Sequence, residues 1–135
     1  MSKRNKIRVR EVMTDKFRMM DGMATVRDGL NVMSGSDTSA LIVDKRTEDD
    51  AYGIVLLSDI ARKVLSKNKS RSRTNLYEIM SKPVLSVEPD LDIRYCARLF
   101  DRFGLSLAPV VDQGKVIGIV SYEEIVLEGL AKFET

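Results

Sequence analysis

The chain carries the same signal twice. Val9-Arg10-Glu11-Val12-Met13-Thr14 returns as Leu76-Tyr77-Glu78-Ile79-Met80-Ser81, with Glu and Met in the same places. Ala40-Leu41-Ile42-Val43-Asp44 returns as Ala108-Pro109-Val110-Val111-Asp112, and Gly53-Ile54-Val55 as Gly118-Ile119-Val120; Ile60 and Leu65 then answer to Ile125 and Leu130. The offset moves from 67 (9 to 76) through 68 (40 to 108) to 65 (53 to 118), the drift that small loop changes leave in an old duplication. A chain of 135 residues has room for one ordinary domain or two small fused halves, and burying roughly two-thirds of its unfolded surface supports a core without staples. The segments predicted are a basic arm at 1–8, one repeat at 9–66, a basic linker at 67–75 and a second repeat at 76–131.

Each half is predicted to run strand, helix, strand, strand, helix. In the second half Val84-Leu85-Ser86-Val87 is the first strand, and Pro89 breaks it. A helix follows in which Ile93, Cys96, Ala97, Phe100 and Phe103 recur at three- and four-residue spacings, until Gly104 caps it. Asp112-Gln113-Gly114-Lys115 is hairpin punctuation between strands 108–111 and 116–120. In the first half Thr25 and Asp28 fit a capping box opening a helix with Val26, Leu30 and Met33 on one face. Gly29 inside it costs up to ~1 kcal/mol relative to Ala, which points to close packing there. The first hairpin loop is three residues longer (Asp44 to Gly53 against Asp112 to Gly118), and its tip, Glu48-Asp49-Asp50, is expected to be solvated. Such halves leave one sheet face bare unless they cover each other. The expected fold class is therefore α+β, two pseudo-symmetric β-α-β-β-α repeats packed sheet to sheet as one module.

Composition narrows the chemistry. There is no histidine, which removes the usual general base near neutral pH, the commonest metal ligand and every Ser/His or Cys/His nucleophile pair. Cys96 is the single cysteine, so no disulfide forms within the chain, as suits a reducing compartment. Neither a signal peptide nor a run of ~20 apolar residues is visible, and the expected location is the cytoplasm, away from membranes. Net charge is +2, but up to Asn75 there are 16 Lys/Arg against 10 Asp/Glu (+6), and from Leu76 onward 6 against 10 (−4). The positive charge gathers at Lys3, Arg4, Lys6, Arg8 and Arg10, and at Lys67, Lys69, Arg71 and Arg73. These runs are either solvated surface or a site for anions. Nucleic acid is disfavoured as a partner, because no aromatic residue interleaves with either run as base stacking requires.

In order and spacing the doubled motifs resemble tandem cystathionine-β-synthase (CBS) domains, a regulatory pair called a Bateman module, here from about Val9 to Leu130. The residues that carry the resemblance are Val12-Met13-Thr14 and Ile79-Met80-Ser81, the run from Ala108 to Asp112, and a Gly-apolar-x-Thr/Ser-x-x-Asp signature after the third strand. The resemblance implies a stand-alone, non-catalytic module that binds an adenosine-containing ligand such as AMP, ADP or ATP, requires no cofactor, and commonly dimerises. In that signature the Asp holds ribose hydroxyls and the Thr/Ser lies near phosphate. The first copy keeps Asp59, with Ser58 beside it, but has Leu56 in place of the hydroxyl; the second keeps Ser121 and Tyr122 but lengthens the acid to Glu124. Adenine would be lined by Phe17 and Arg18 with Ser39 and Ala40 in one cleft, and by Val84 and Leu85 with Ser106 and Leu107 in the other.

The residue types support this chemistry on their own terms. Two vicinal hydroxyls are donors, and one carboxylate offers two acceptor oxygens. A helix start adds backbone N–H groups and the positive end of its dipole, which favour phosphate. The same residues also suit plain capping: Ser121-x-x-Glu124 is a capping box, and Ser58 or Asp59 can cap the first copy. Arg62 and Lys63 follow Asp59, within reach of phosphates or of solvent. The leading expectation is a homodimeric energy sensor that signals to an unidentified regulated protein by altered packing. The alternative is a ligand-free interaction scaffold, and the third is nucleic-acid binding through the basic arms.

Overall fold

The computed structural model describes residues 6–36, 38–82 and 85–133. The chain divides into two compact units, and their limits are not those of the sequence repeats: one unit is 1–15 together with 85–135, the other is 16–84. Each repeat's opening motif belongs to the unit built around the other repeat.

In the unit 16–84, strands β1 (Arg18–Met20), β2 (Ala40–Val43) and β3 (Gly53–Leu56) form a sheet in that order. β1 runs parallel to β2 with Arg18 opposite Leu41, and β3 antiparallel with Ala40 opposite Leu56. Helix α1 (Val26–Gly35) crosses between β1 and β2, and its predicted box is formed: the Asp28 N–H donates to Thr25 Oγ1 at 3.1 Å and the Thr25 N–H to Asp28 Oδ2 at 3.1 Å. Gly29 is buried as its packing required, since a Cβ there would lie 3.0 Å from Leu41 Cδ1 and 3.1 Å from Leu76 Cδ2. Helix α2 (Leu57–Ile60) continues through a π-helical turn at Ala61–Leu65. Val26, Met33, Leu41, Val43, Val55, Val64, Leu76 and Ile79 share one apolar core.

In the other unit, α3 (Ile93–Phe103) precedes the hairpin β4 (Leu107–Asp112) and β5 (Lys115–Ser121). A π-helical turn at Glu124–Glu128 leads into α4 (Gly129–Phe133). The hairpin turn takes positive φ at Gln113 and Gly114, and Gly104 ends α3 at φ 65°, both as predicted. Phe103 is a correction: it is exposed rather than on the buried stripe of Ile93, Cys96 and Phe100. The predicted strand 84–87 is another: Val84 lies outside the described residues, and of the rest only Val87 pairs, through a single parallel bridge to Val110. Proline lacks the N–H that the next rung needs on either side: Pro89 beyond Val87, and Pro109 toward Leu85. Ile7, Val9 and Val12 complete this core with Phe100, Val110 and Val120.

The opening motifs dock in matching ways. Val9 N–H donates to Leu91 O and Leu76 N–H to Ala24 O, each at 2.8 Å. Thr14 exchanges two 2.9 Å backbone bonds with Ile119, and Ser81 pairs likewise with Ile54 at 3.0 and 3.3 Å. The shared Glu has a local task in both: Glu11 accepts from the Arg8 N–H at 2.8 Å and Glu78 from the Asn75 N–H at 2.7 Å, closing a short 3₁₀ turn.

Glu48 and Asp49 at the first hairpin tip and the linker cations Lys67, Lys69, Arg71 and Arg73 are exposed, the solvated outcome, while each loop has one anchor. Asp50 in the longer hairpin accepts from Lys82 Nζ at 2.6 Å and from the Arg46 and Ala51 N–H groups. The linker 67–75 is anchored at its end, where Thr74 is buried and its carbonyl accepts from Val26 N–H at 2.8 Å. No helix of the described residues is long and apolar enough to cross a membrane.

Candidate functional site

The sheet of the unit 16–84 presents, at one end, the start of β1, the start of β2 and the exit of β3. Phe17 is half-buried, Arg18 and Ser39 are exposed, and Ala40 is buried opposite Leu56. At Leu56 the backbone turns from β3 into α2, and the Leu56 N–H donates to Asp59 Oδ2 at 2.8 Å. Asp59 is thus tied to the residue that faces Ala40. The topology brings the starts of β1 and β2 to the same sheet end as this helix start.

Asp59 is only 2% exposed, which a carboxylate tolerates when it is paired and hydrogen-bonded. Its Oδ1 faces Arg62 Nη2 at 3.2 Å and Lys63 Nζ at 3.8 Å. Lys63 also donates to Ile79 O at 3.0 Å, and Arg62 Nε to Ser58 O at 3.3 Å. Arg62 and Lys63 are therefore counter-ions of Asp59 before they are anything else, a role their i+3 and i+4 spacing carries. Ser58 is exposed, and its carbonyl holds Arg62. Asp59 Oδ2 thus carries one hydrogen bond, from the backbone, while Oδ1 faces both cations.

In the other unit the equivalent end joins β4 and β5, with Leu107 opposite Ser121 and the Tyr122 N–H donating to Ser106 O at 3.2 Å. The Ser121 N–H and Oγ–H both donate to Glu124 Oε1 at 2.7 Å. Only half of the predicted capping box is present, because the serine hydroxyl gives its proton to the glutamate rather than accepting from a helix N–H. The added methylene of Glu over Asp provides that reach. Tyr122 packs its ring edge-on against buried Phe100, 5.2 Å between centroids. Leu85 is half-buried, two residues before Val87, and Val84 is outside the described residues.

A separate apolar cleft of about 410 Å³ lies between α3 and the last helix, lined by Ile93, Ala97, Ile125, Val126, Leu130 and Phe133. None of the predicted site residues lines it. The Arg94 guanidinium stacks 4.3 Å from the Phe133 ring centroid at its edge. Only the apolar stripes of the two helices point to this cleft in the sequence.

Comparison with known proteins agrees with this architecture. The family model of the CBS domain matches residues 9–66 and 76–130. An uncharacterized protein of Methanopyrus kandleri is 35% identical over 88 residues, 64% of this chain and 44% of that one, so the chain spans less than half of that relative's length. The hexameric CBS-CP12 protein from bloom-forming cyanobacteria superposes with a TM-score of 0.86 at 36% identity, over 90% of this chain and 70% of that one. A CBS domain pair solved with 5′-methylthioadenosine and S-adenosyl-L-methionine shares the fold, with a TM-score of 0.80 at 23% identity over 94% and 98% of the two chains. With both repeats matched in order, this chain belongs to the CBS domain family and carries two copies of the domain.

Proposed function

We propose that the chain is a non-catalytic regulatory module that binds an adenosine-containing ligand at the β3–α2 helix start, with Asp59 receiving the ribose hydroxyls. The observation that carries it is Asp59 itself: a buried carboxylate at a sheet end, bonded through Oδ2 to the N–H at the helix start and with two cations alongside Oδ1. Exposed Arg18 and Ser39 stand at the starts of the neighbouring strands, where an adenine edge would meet backbone groups. A related fold holds methylthioadenosine and S-adenosylmethionine, which widens the candidates beyond AMP, ADP and ATP.

The two repeats are unequal in this proposal. Glu124 is satisfied twice over by Ser121, so the helix start after β5 serves mainly as a local brace with Tyr122, Ser106 and Leu107 around it. The signal would pass through self-association to a regulated protein in the cytoplasm. Leu127 in the π-helical turn and Leu130 in α4, 68% and 58% exposed, offer apolar surface for a second copy, and a hexameric relative fits such self-association.

A second interpretation, a ligand-free scaffold, is favoured by Leu56 at the phosphate position and by the internal engagement of both acids. Thermal unfolding with millimolar AMP, ADP, ATP, NAD, 5′-methylthioadenosine or S-adenosylmethionine separates the two. A ligand at ~100 times its dissociation constant adds about 2.7 kcal/mol, a rise of roughly 5 to 15 °C for a chain of this size. A rise with one ligand that is lost in Asp59→Asn supports the sensor; no rise with any ligand supports the scaffold.

A further inference from the structure

Between Asp59 and Glu78 the sequence has no acidic residue and six cations, Arg62, Lys63, Lys67, Lys69, Arg71 and Arg73. The first two neutralise Asp59. The other four are exposed, and among the described residues none of them forms an ion pair or a side-chain hydrogen bond. Four uncompensated charges within seven residues repel one another, so the loop stores positive potential rather than serving as a neutral connector.

The loop is held in shape by its backbone. Asn68 turns the chain at φ 53°, the Lys69 N–H donates to Val64 O at 3.0 Å, and the Arg73 N–H donates to Ser70 O at 3.3 Å. Two of its carbonyls, those of Arg71 and Thr74, accept from the Arg27 and Val26 N–H groups in the first turn of α1, at 3.0 and 2.8 Å. The loop thereby caps a ten-residue helix and stands at its positive end, beside exposed Arg27. Asn68, Ser70 and Ser72 alternate with the cations, and the two serine hydroxyls lie 3.2 Å apart.

We propose that the loop 67–73 is a docking surface for the phosphodiester backbone of a nucleic acid, read without regard to base sequence. Repeated cations interspersed with short hydroxyl and amide donors match a chain of phosphates. The lack of aromatic residues in the loop excludes base stacking but leaves phosphate contacts intact. No residue from Ser66 to Asn75 is apolar, so the loop has no wedge for a lipid surface. The proposal is independent of the adenosine site.

The test is fluorescence anisotropy of a labelled 20-nucleotide single strand of mixed sequence with the full chain, without nucleotide ligand, at 50 and 200 mM NaCl. Four phosphate contacts give a salt slope of about −2.8, hence about 50-fold weaker binding at the higher salt. Replacing Lys67, Lys69, Arg71 and Arg73 by Gln should flatten that slope and weaken binding at 50 mM by at least about tenfold, whereas Lys6→Gln should not. Circular dichroism checks folding; should the fourfold variant fail to fold, Lys69→Gln with Arg73→Gln should halve the slope. Absence of binding by the wild type at 50 mM, or unchanged affinity of the folded loop variant, overturns the proposal. So does tighter binding to poly-glutamate or to vesicles with 30% phosphatidylserine, which would assign the loop to an acidic protein or a membrane.

Discussion

Met80 lies so close against Gly53 that a Cβ on the glycine would fall 2.5 Å from its Sδ, and Met13 stands to Gly118 in the same relation at 2.7 Å. The methionine of each opening motif thus packs on the signature glycine of the other repeat. This packing explains why both Gly-Ile-Val runs begin with glycine although neither Gly53 nor Gly118 has positive φ. The two sites differ in what could yield. At Gly53 the obstruction is a flexible thioether, with Val43 Cβ at 3.3 Å; at Gly118 the Thr14 carbonyl oxygen, fixed by the Thr14–Ile119 bridge, would lie 2.9 Å away. Overpacking typically costs about 1–3 kcal/mol. Gly118→Ala is expected near the upper end and Gly53→Ala near the lower, measured as midpoints of urea unfolding at equal m-value. Equal losses would mean the backbone contact is not decisive.

Asp50 and Lys82 give the protein an acid-sensitive tie. The Lys82 ammonium, with help from the Arg46 N–H, holds the Asp50 carboxyl down at about 2. Its pKa is below the unfolded value of about 3.9, so between those values the unfolded chain binds more protons than the folded one. The contribution is present in full above about pH 4 to 5 and disappears as pH falls through about 2. Asp90, lowered by its hydrogen bond to Arg10, acts in the same direction. Asp50→Asn should therefore lower stability at pH 7 and leave it unchanged near pH 2, so that the wild-type and variant curves converge on acidification. Curves parallel from pH 7 to 2 would show that the pair makes no difference.

What the sequence could reveal was what is local. The Thr25–Asp28 box, the stop at Gly104 and the turn at Gln113-Gly114 depend on residues a few positions apart, and each forms as expected. Which repeat receives each opening motif is a long-range choice, and two near-identical motifs carry equal local information about it. Met13 on Gly118 was invisible for that reason. Asp50–Lys82 was hidden likewise, being 32 residues apart with nothing periodic to link them. At the candidate site the residue types at Asp59 and Ser121 were legible, but their partners were not: Arg62 holds the aspartate, and the serine donates where a capping serine would accept.

Cys96 is fully buried on α3, and burial pushes its thiol up to about 11. Since the thiolate is the reactive form, native protein at pH 8 should react with a disulfide reagent far more slowly than the denatured chain does. The sign for stability is opposite to that of Asp50. Above about pH 8.5 the unfolded chain loses the proton that the folded one keeps, so stability falls as pH rises toward 11, and Cys96→Ala should remove that part of the alkaline decline. Rapid modification of the native thiol at pH 8 would show that α3 opens locally.

The two helix starts should respond differently to loss of their polar side chains. Asp59→Ala leaves the half-buried Leu56 N–H without its acceptor and Arg62 without its partner, and removing one member of a buried hydrogen-bonded pair costs about 1–3 kcal/mol. Asp59→Asn retains an oxygen for Leu56 and should recover much of that loss while removing the charge that a ribose diol would meet. Ser121→Ala removes one of two donors to Glu124 and leaves the backbone bond in place, so about 0.5–1.5 kcal/mol is expected. The order of stability in urea should be wild type, then Ser121→Ala and Asp59→Asn, then Asp59→Ala. If Asp59→Ala were as stable as Asp59→Asn, the carboxylate would have no capping role, and every effect of that substitution on ligand binding would belong to the ligand alone.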